Sequence, residues 1–290
     1  MNNIVKVDPV ILYSPHNDRP FSIDISFKPS PDPKPVVIHV HGFKGFKDWG
    51  YFNLSAGYFA EAGFIFVKIN FSHNGVTPGS PMDFVDLEAF GRNNFSIEQA
   101  DLGKVIDFVF SEEFPVSGHE VNLDQLCLTG HSRGGAAVIL KGFFDDRVKA
   151  VASWAGVNDL ANYFSESELK QWRKNGVTYV LNTRTGQRMP LYYQVVEDYL
   201  ANEGSLDVPG IIKKYTKPLL IVHGLKDETV PSQVAYLTKK WYPPAQLFLV
   251  EGADHVFGGT HPWENDHLPD DARKVMDRTI DFFRGLSDKE

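Results

Sequence analysis

A single cysteine in 290 residues excludes a disulfide framework. That residue, Cys127, lies inside an apolar run and reads as a buried structural thiol, neither redox centre nor nucleophile. Long apolar stretches are also missing. None approaches the roughly 20 residues that a bilayer-spanning helix needs, so no membrane association is expected. The opening Met1-Asn2-Asn3-Ile4-Val5-Lys6-Val7-Asp8-Pro9 lacks the basic-then-apolar order of a secretory signal, and the expected location is the cytoplasm. Positive charge is scarce. Lysine and arginine total 29 against 37 acidic residues, a formal charge of −8, and no basic stripe is present to track a phosphate backbone. Nucleic acid is therefore not an expected partner.

What the chain does have is a series of short apolar runs. Val5 to Tyr13 and Phe21 to Phe27 alternate apolar and polar residues around a turn-rich Pro15 to Pro20, which predicts an antiparallel edge hairpin. After a proline-rich linker, Pro29 to Pro35, six runs follow: Val36 to Val40, Phe64 to Ile69, Leu126 to Thr129, Val148 to Ser153, Leu219 to Val222 and Leu247 to Val250. Continuous apolar runs mark strands buried on both faces. Helical patterns near 51–61, 97–110, 133–144, 232–240 and 268–285 fall between or after them, so the expected fold class is α/β, with a mostly parallel eight-stranded sheet flanked by helices. In such sheets ligands bind beyond the C-terminal strand ends.

Gly130-His131-Ser132-Arg133-Gly134 sits where one of these strands passes into a small-residue helix. This is the GxSxG arrangement of a nucleophile elbow, in which a sharp turn exposes the serine hydroxyl at a helix N-terminus. Serine is a poor nucleophile at neutral pH and needs an imidazole to take its proton and a carboxylate to orient that imidazole. Both appear later, each just past a strand. Leu219 to Val222 leads into His223-Gly224 and a loop carrying Asp227, and the last apolar run leads into Glu251-Gly252-Ala253-Asp254-His255. Glu228, Asp254 and Asp159 compete with Asp227 for the acid's role. The developing oxyanion needs donors, and the main-chain N–H groups of Phe43, in the turn after Val40, and of Arg133 are in place to supply them, each worth roughly 3 kcal/mol in the transition state. His39 and His41 have an HxH spacing, but no third ligand follows, so they read as scaffold and no metal site is expected.

The segments HGF, GHSRG, HGLKDETVP and GADHVFGGTHPW together resemble the α/β-hydrolase superfamily, and in particular its dienelactone-hydrolase-like and cinnamoyl (feruloyl) esterase branch, over nearly the whole chain. The resemblance implies an α/β-hydrolase fold without cofactor or metal, with Ser132 as nucleophile, Asp227 as acid, His255 as base and an oxyanion hole from Phe43 and Arg133. Dienelactone hydrolases carry cysteine where this chain has Ser132, which argues against a dienelactone substrate. The esterase branch often has glutamine where this chain has Arg133, and Arg133, Arg184 and Arg188 are candidate contacts for a substrate carboxylate.

Two segments exceed the minimal scaffold. Asn70 to Phe95 is a long connection expected to border the pocket, with His73 either a substrate contact or a turn-stabilising residue. Residues 157–216 read as a lid inserted into a core made of 1–156 and 217–290. Within it Ser165 and Glu168 form a capping box for a helix closed by Gly176, a hairpin joins Val177 to Asn182 with Gln187 to Met189, and Tyr192 to Ala201 reads as a second helix. Tyr179, Tyr192 and other aromatics of this insertion either line a substrate pocket or pack the lid on the core, Trp154 is a candidate for the pocket floor, and Trp263 is expected to buttress the histidine loop. The expected function is hydrolysis of carboxylic esters of small or medium size by a serine hydrolase. Thioesterase, acyltransferase or oligopeptidase chemistry would use the same residues, although peptidases of this kind commonly add a large N-terminal domain that the sequence does not show. A non-catalytic ligand-binding role and a homodimer both stay open.

Overall fold

The computed structural model describes residues 3–161 and 165–286; residues 162–164 of the expected lid, and Met1 and Asn2 of the opening segment, lie outside that description. Its strands are β1 (Val5–Tyr13), β2 (Pro20–Phe27), β3 (Lys34–Val40), β4 (Ile65–Ile69), β5 (Val121–His131), β6 (Val148–Trp154), β7 (Val177–Asn182), β8 (Gln187–Tyr192), β9 (Leu219–Gly224) and β10 (Gln246–Val250). The helices are α1 (Phe52–Glu61), α2 (Leu87–Arg92), α3 (Phe95–Val109), α4 (Arg133–Phe144), α5 (Glu166–Asn175), α6 (Gln194–Ala201), α7 (Glu203–Leu206), α8 (Val208–Ile212), α9 (Gln233–Trp241) and α10 (Asp270–Arg284).

Eight strands form one sheet in the order β1-β2-β4-β3-β5-β6-β9-β10. Pairing is parallel from β4 to β10, while the β1–β2 hairpin and the β2–β4 contact are antiparallel, as the alternating and continuous apolar patterns predict. Because successive strand side chains face opposite ways, each apolar run feeds two cores. Val36, Ile38 and Val40 of β3 face α3 and α4, whereas Val37 joins Phe66, Cys127 and Ala152 beneath α1 and α10. Cys127 is buried, as its position predicts. The chain crosses from β3 to β4 through α1 and returns over β3 to β5 through α3 on the opposite face. This reversal opens a crevice at the C-terminal ends of β3 and β5, the place where such sheets bind ligands.

Within 157–216 the capping box at Ser165 and Glu168 forms, and Gly176 closes α5 with a left-handed φ of 72°. The hairpin is longer than expected. Strand β8 runs to Tyr192, so the following helix begins only at Gln194. The long 70–95 connection also holds structure that the sequence reading omitted: α2, capped by the Asp86 side chain on Ala89 N–H. A third apolar cluster of Phe46, Val76, Phe84, Phe90 and Met189 joins this connection to the inserted hairpin, with Phe43 at its margin. Among the described residues no helix is long and apolar enough to cross a membrane.

Candidate active site

Strand β5 ends at His131 and the chain turns into α4 through Ser132, whose φ of 55° and ψ of −120° are the strained conformation that an elbow requires. The turn is fixed by main chain: Ser132 N–H donates to the Trp154 carbonyl at 2.9 Å, and the Ser132 carbonyl accepts from Gly135 N–H at 2.9 Å. Two glycines permit the close packing around it. A Cβ on Gly134 would lie 2.5 Å from the carbonyl oxygens of both Val40 and His41, and one on Gly42 would lie 2.9 Å from the Ser132 Cβ. The turn after β3 is thus brought directly against the serine.

Asp227 follows β9, with its side chain fully shielded from solvent. Its Oδ1 accepts from the backbone N–H groups of Thr229 at 2.9 Å and Val230 at 2.8 Å, and its Oδ2 accepts from His255 Nδ1 at 2.8 Å. Burial by itself would raise this carboxyl, but the hydrogen bonds from His223, His255 and Val230 outweigh it and hold the acid well below the usual carboxylate range. Donation from Nδ1 leaves Nε2 of His255 with the lone pair that a general base needs. Of the competing acids, Asp254 caps its own turn on Val256 and Gly258 N–H, and Asp159 accepts from Ala161 N–H.

The residue beside the serine ties these parts together. His131 Nε2 donates to the His255 carbonyl at 2.8 Å, and the two rings lie 4.8 Å apart between centroids. Burial pushes His131 down to about 3, so at neutral pH it is an uncharged donor. Among the described residues no hydrogen bond joins the Ser132 hydroxyl to His255. Contacts of this kind commonly tighten only when substrate is bound.

The Phe43 and Arg133 N–H groups donate no hydrogen bond among the described residues. The segment after β3 that carries Phe43 is anchored from behind, where Lys47 Nζ reaches Asp24 of β2 at 2.6 Å and Lys68 of β4 reaches Asp48 at 2.7 Å, all four charges buried or nearly so. His39 and His41 are scaffold, as expected. His39 bonds Thr129 Oγ1 at 2.9 Å; His41 Nδ1 donates to the Gly42 carbonyl at 2.8 Å, and burial pushes it down to about 4.

Several expected pocket residues lie elsewhere. Trp154 shares a strand face with Ala150 and Ala152, so its ring enters the core under α10 and Nε1 donates to Thr279 at 3.1 Å; only its carbonyl reaches the elbow. His73 bonds Ser72, packs edge-on to His16 and lines a cleft of about 600 Å³ with the β1–β2 turn and α2, so it stabilises that turn and has no contact with Ser132 or His255. Tyr179 is half exposed beneath the Arg188 guanidinium, and Tyr192 packs on Gly91 with its hydroxyl on Glu88, so both fasten or decorate the insertion. The three arginines are occupied too. Arg133 pairs with Glu98, Arg184 lies over Phe46 and bonds the Met82 carbonyl, and Arg188 covers Tyr179, so among the described residues only Arg133 of the three has its charge met by a carboxylate. Sequence reasoning missed His223, whose buried Nε2 lies 2.8 Å from the Val230 carbonyl and 3.2 Å from Asp227 Oδ2. The signal was present: the same His-Gly pair closes both β3 and β9.

A mostly parallel sheet with a strained elbow serine at its crevice defines an α/β-hydrolase-fold protein. The chain belongs to the prolyl oligopeptidase family, a family of serine hydrolases, whose model matches residues 50–262. No curated protein matches it significantly in sequence. Among solved structures it is similar to Est1E from Butyrivibrio proteoclasticus, solved with ferulic acid bound (20% identity, TM-score 0.70, covering 96% of this chain and 100% of that one). It is also similar to the esterase domain of a Rhodothermus marinus protein (18%, 0.62, 97% and 98%) and to the α/β hydrolase GrgF from Penicillium sp. sh18 (17%, 0.64, 97% and 98%). At these identities the likeness establishes the shared fold.

Proposed function

We propose that this protein hydrolyses carboxylic esters of small or medium size through an acyl-enzyme on Ser132. His255 Nε2 accepts the Ser132 proton as Oγ attacks the carbonyl, and the oxyanion is held by the Phe43 and Arg133 N–H groups. Asp227 stabilises the imidazolium, which then protonates the departing alcohol. Water, deprotonated by the same His255, releases the acid and restores the serine. The observation that carries this reading is the bond from His255 Nδ1 to a buried Asp227, on a histidine loop fastened by His131 to the elbow itself. An ester substrate is supported by the ferulic acid in Est1E and by the esterase domain of the same fold. Residues 157–216 serve as a lid, supported by the apolar cluster that reaches from Met189 to Phe43. Amide cleavage is the second reading, favoured by the family match.

Purified wild type, Ser132→Ala, His255→Ala, Asp227→Asn and Asp159→Asn are compared on matched ester, thioester and anilide substrates. Ser132→Ala and His255→Ala are expected to lose about 10⁵-fold in kcat and Asp227→Asn about 10⁴-fold, with Asp159→Asn near wild type. A fluorophosphonate probe should label wild type and not Ser132→Ala. Undiminished hydrolysis by Ser132→Ala overturns the proposal, a crippled Asp159→Asn overturns the choice of acid, and anilide turnover exceeding ester turnover favours the peptidase reading.

A further inference from the structure

We infer that the Arg133 side chain is a positioning residue that holds the two oxyanion donors at their working separation. The inference rests on Ser132 being the nucleophile. The donors belong to elements with no covalent reason to stay aligned: Phe43 is in the turn after β3, and Arg133 begins α4. Their side chains join them. The Arg133 guanidinium lies 4.8 Å from the centroid of the Phe43 ring and 5.5 Å from that of Phe95. It is paired with Glu98 of α3, whose side chain is 5% exposed, and Asn93 Nδ2 donates to the same Glu98 oxygen at 2.8 Å. The far side of the Phe43 turn is braced by Phe90, with ring centroids 5.5 Å apart.

One residue thus does two things. Its N–H is free for the site, while its side chain stacks on the residue that supplies the other donor and ties both to α3. Arginine suits this place because a flat, delocalised cation can stack on a ring and hydrogen-bond a carboxylate at once, which lysine's compact ammonium cannot. With Glu98 neutralising it, the guanidinium has no unmet charge to offer a substrate carboxylate. Preorganised donors act through their fixed placement, so loosening the turn should weaken transition-state binding more than substrate binding.

The test compares wild type with Arg133→Met, Glu98→Gln and Phe43→Leu on two esters of one alcohol, one with a neutral acyl group and one bearing a carboxylate. Affinity for a boronic acid transition-state analogue is measured alongside. Phe43→Leu keeps the N–H and the Arg133–Glu98 pair and removes only the stacked ring, so it guards against a folding defect in the other two. The expected result is a fall in kcat of about 10- to 100-fold on both esters with KM within about threefold, and a matching loss of analogue affinity. In Phe43→Leu the pH profile should not move, because neither a charge nor a proton-transfer group is altered. A KM increase confined to the carboxylate ester would show that Arg133 recognises substrate, and unchanged kcat in all three variants would show that it positions nothing; either overturns the inference. A Ser132→Ala control separates the levels: if it is inactive while Arg133→Met runs at full rate, only the positioning role fails, whereas an active Ser132→Ala removes the nucleophile assignment beneath it.

Discussion

At the C-terminal edge of the sheet the candidate catalytic groups are fastened by main chain and burial. Asp227 accepts from two backbone N–H groups, Ser132 is held through the Trp154 carbonyl, and the histidine loop is tied down by His131. Within 157–216, residues such as Val208, Ile211, Ile212 and Tyr215 belong to the main core, but the β7–β8 hairpin and α6 are attached differently, through side-chain bonds to residues 84–96 and to Lys44. Gln187 donates to the Phe84 carbonyl at 3.1 Å, Gln194 to the Asn93 carbonyl at 2.9 Å, Asp198 accepts from Ser96 N–H at 3.1 Å, and Lys44 reaches the Leu181 carbonyl at 3.1 Å. Attachment of this kind would let the hairpin and α6 loosen without disturbing the buried groups at the sheet edge, a separation that the proposed lid role requires.

The two regions should separate most sharply with pH. His39, His41 and His131 at the sheet edge are all held neutral by burial, whereas 157–216 contains no histidine. For a histidine depressed in the folded state, the unfolded chain takes up a proton below about 6.5 while the folded chain does not. Stability is therefore fully present above that pH and falls as pH drops, with His41, displaced to about 4, accounting for about 3 kcal/mol by pH 4. Asp101, whose carboxyl burial raises, offsets part of this over the lower end. Urea titrations from pH 7 to pH 4 should show a progressive loss of several kcal/mol before the carboxylates dominate. A flat profile across that window would mean these histidines are not buried and neutral.

Glycine-to-alanine changes provide a matched pair. In Gly134→Ala the new methyl meets two carbonyl oxygens of β3 and its following turn at 2.5 Å, and backbone on both sides leaves little room to yield. A loss of about 3 kcal/mol is expected, with activity reduced because the elbow moves. Gly186, in the β7–β8 turn, has φ of 71°, but a methyl there meets nothing within 4 Å. Gly186→Ala should cost only about 1 kcal/mol, from the left-handed backbone alone, and leave kcat near wild type. Equal costs in chemical denaturation would mean that the packing around the elbow is looser than its contacts imply.

The parts readable from sequence are those whose signal is local. Strands buried on both faces appear as unbroken apolar runs, the elbow glycines mark a close approach, and Asp227 and His255 directly follow strands. Illegible features depend on phase or on distant partners. That Trp154 stands at a strand end is legible, yet which face it takes follows from the registration of β6 between β5 and β9. His73 lies on a connection that sequence marks as long, but its direction is set by the Pro15–Pro20 turn, more than 50 residues earlier. The partner of Arg133 is Glu98, on another helix. Helices α7 and α8 are too short for a 3.6-residue period to register, and α8 is announced only by the Asp207 cap and Pro209 in its first turn.

The smallest change probes whether the insertion opens as its own unit. Gln194 spans the join: its Nε2 donates to the Asn93 carbonyl, and its Oε1 accepts from Asn94 Nδ2 at 2.8 Å, while Asn94 Oδ1 separately caps α3 on Ile97 N–H. Gln194→Ala removes the first two bonds and leaves the cap. Partly exposed groups regain water, so the net cost is about 1 kcal/mol. If the insertion is a separate cooperative unit, amide hydrogen exchange across β7, β8 and α6 should quicken about fivefold, since that energy is subtracted only from its own opening equilibrium. Strands β3, β5 and β9 should exchange as before, with kcat unchanged. Equal acceleration in those central strands would instead make the insertion an integral part of the core's folding unit, and the contrast between rigid site and separable cover would disappear.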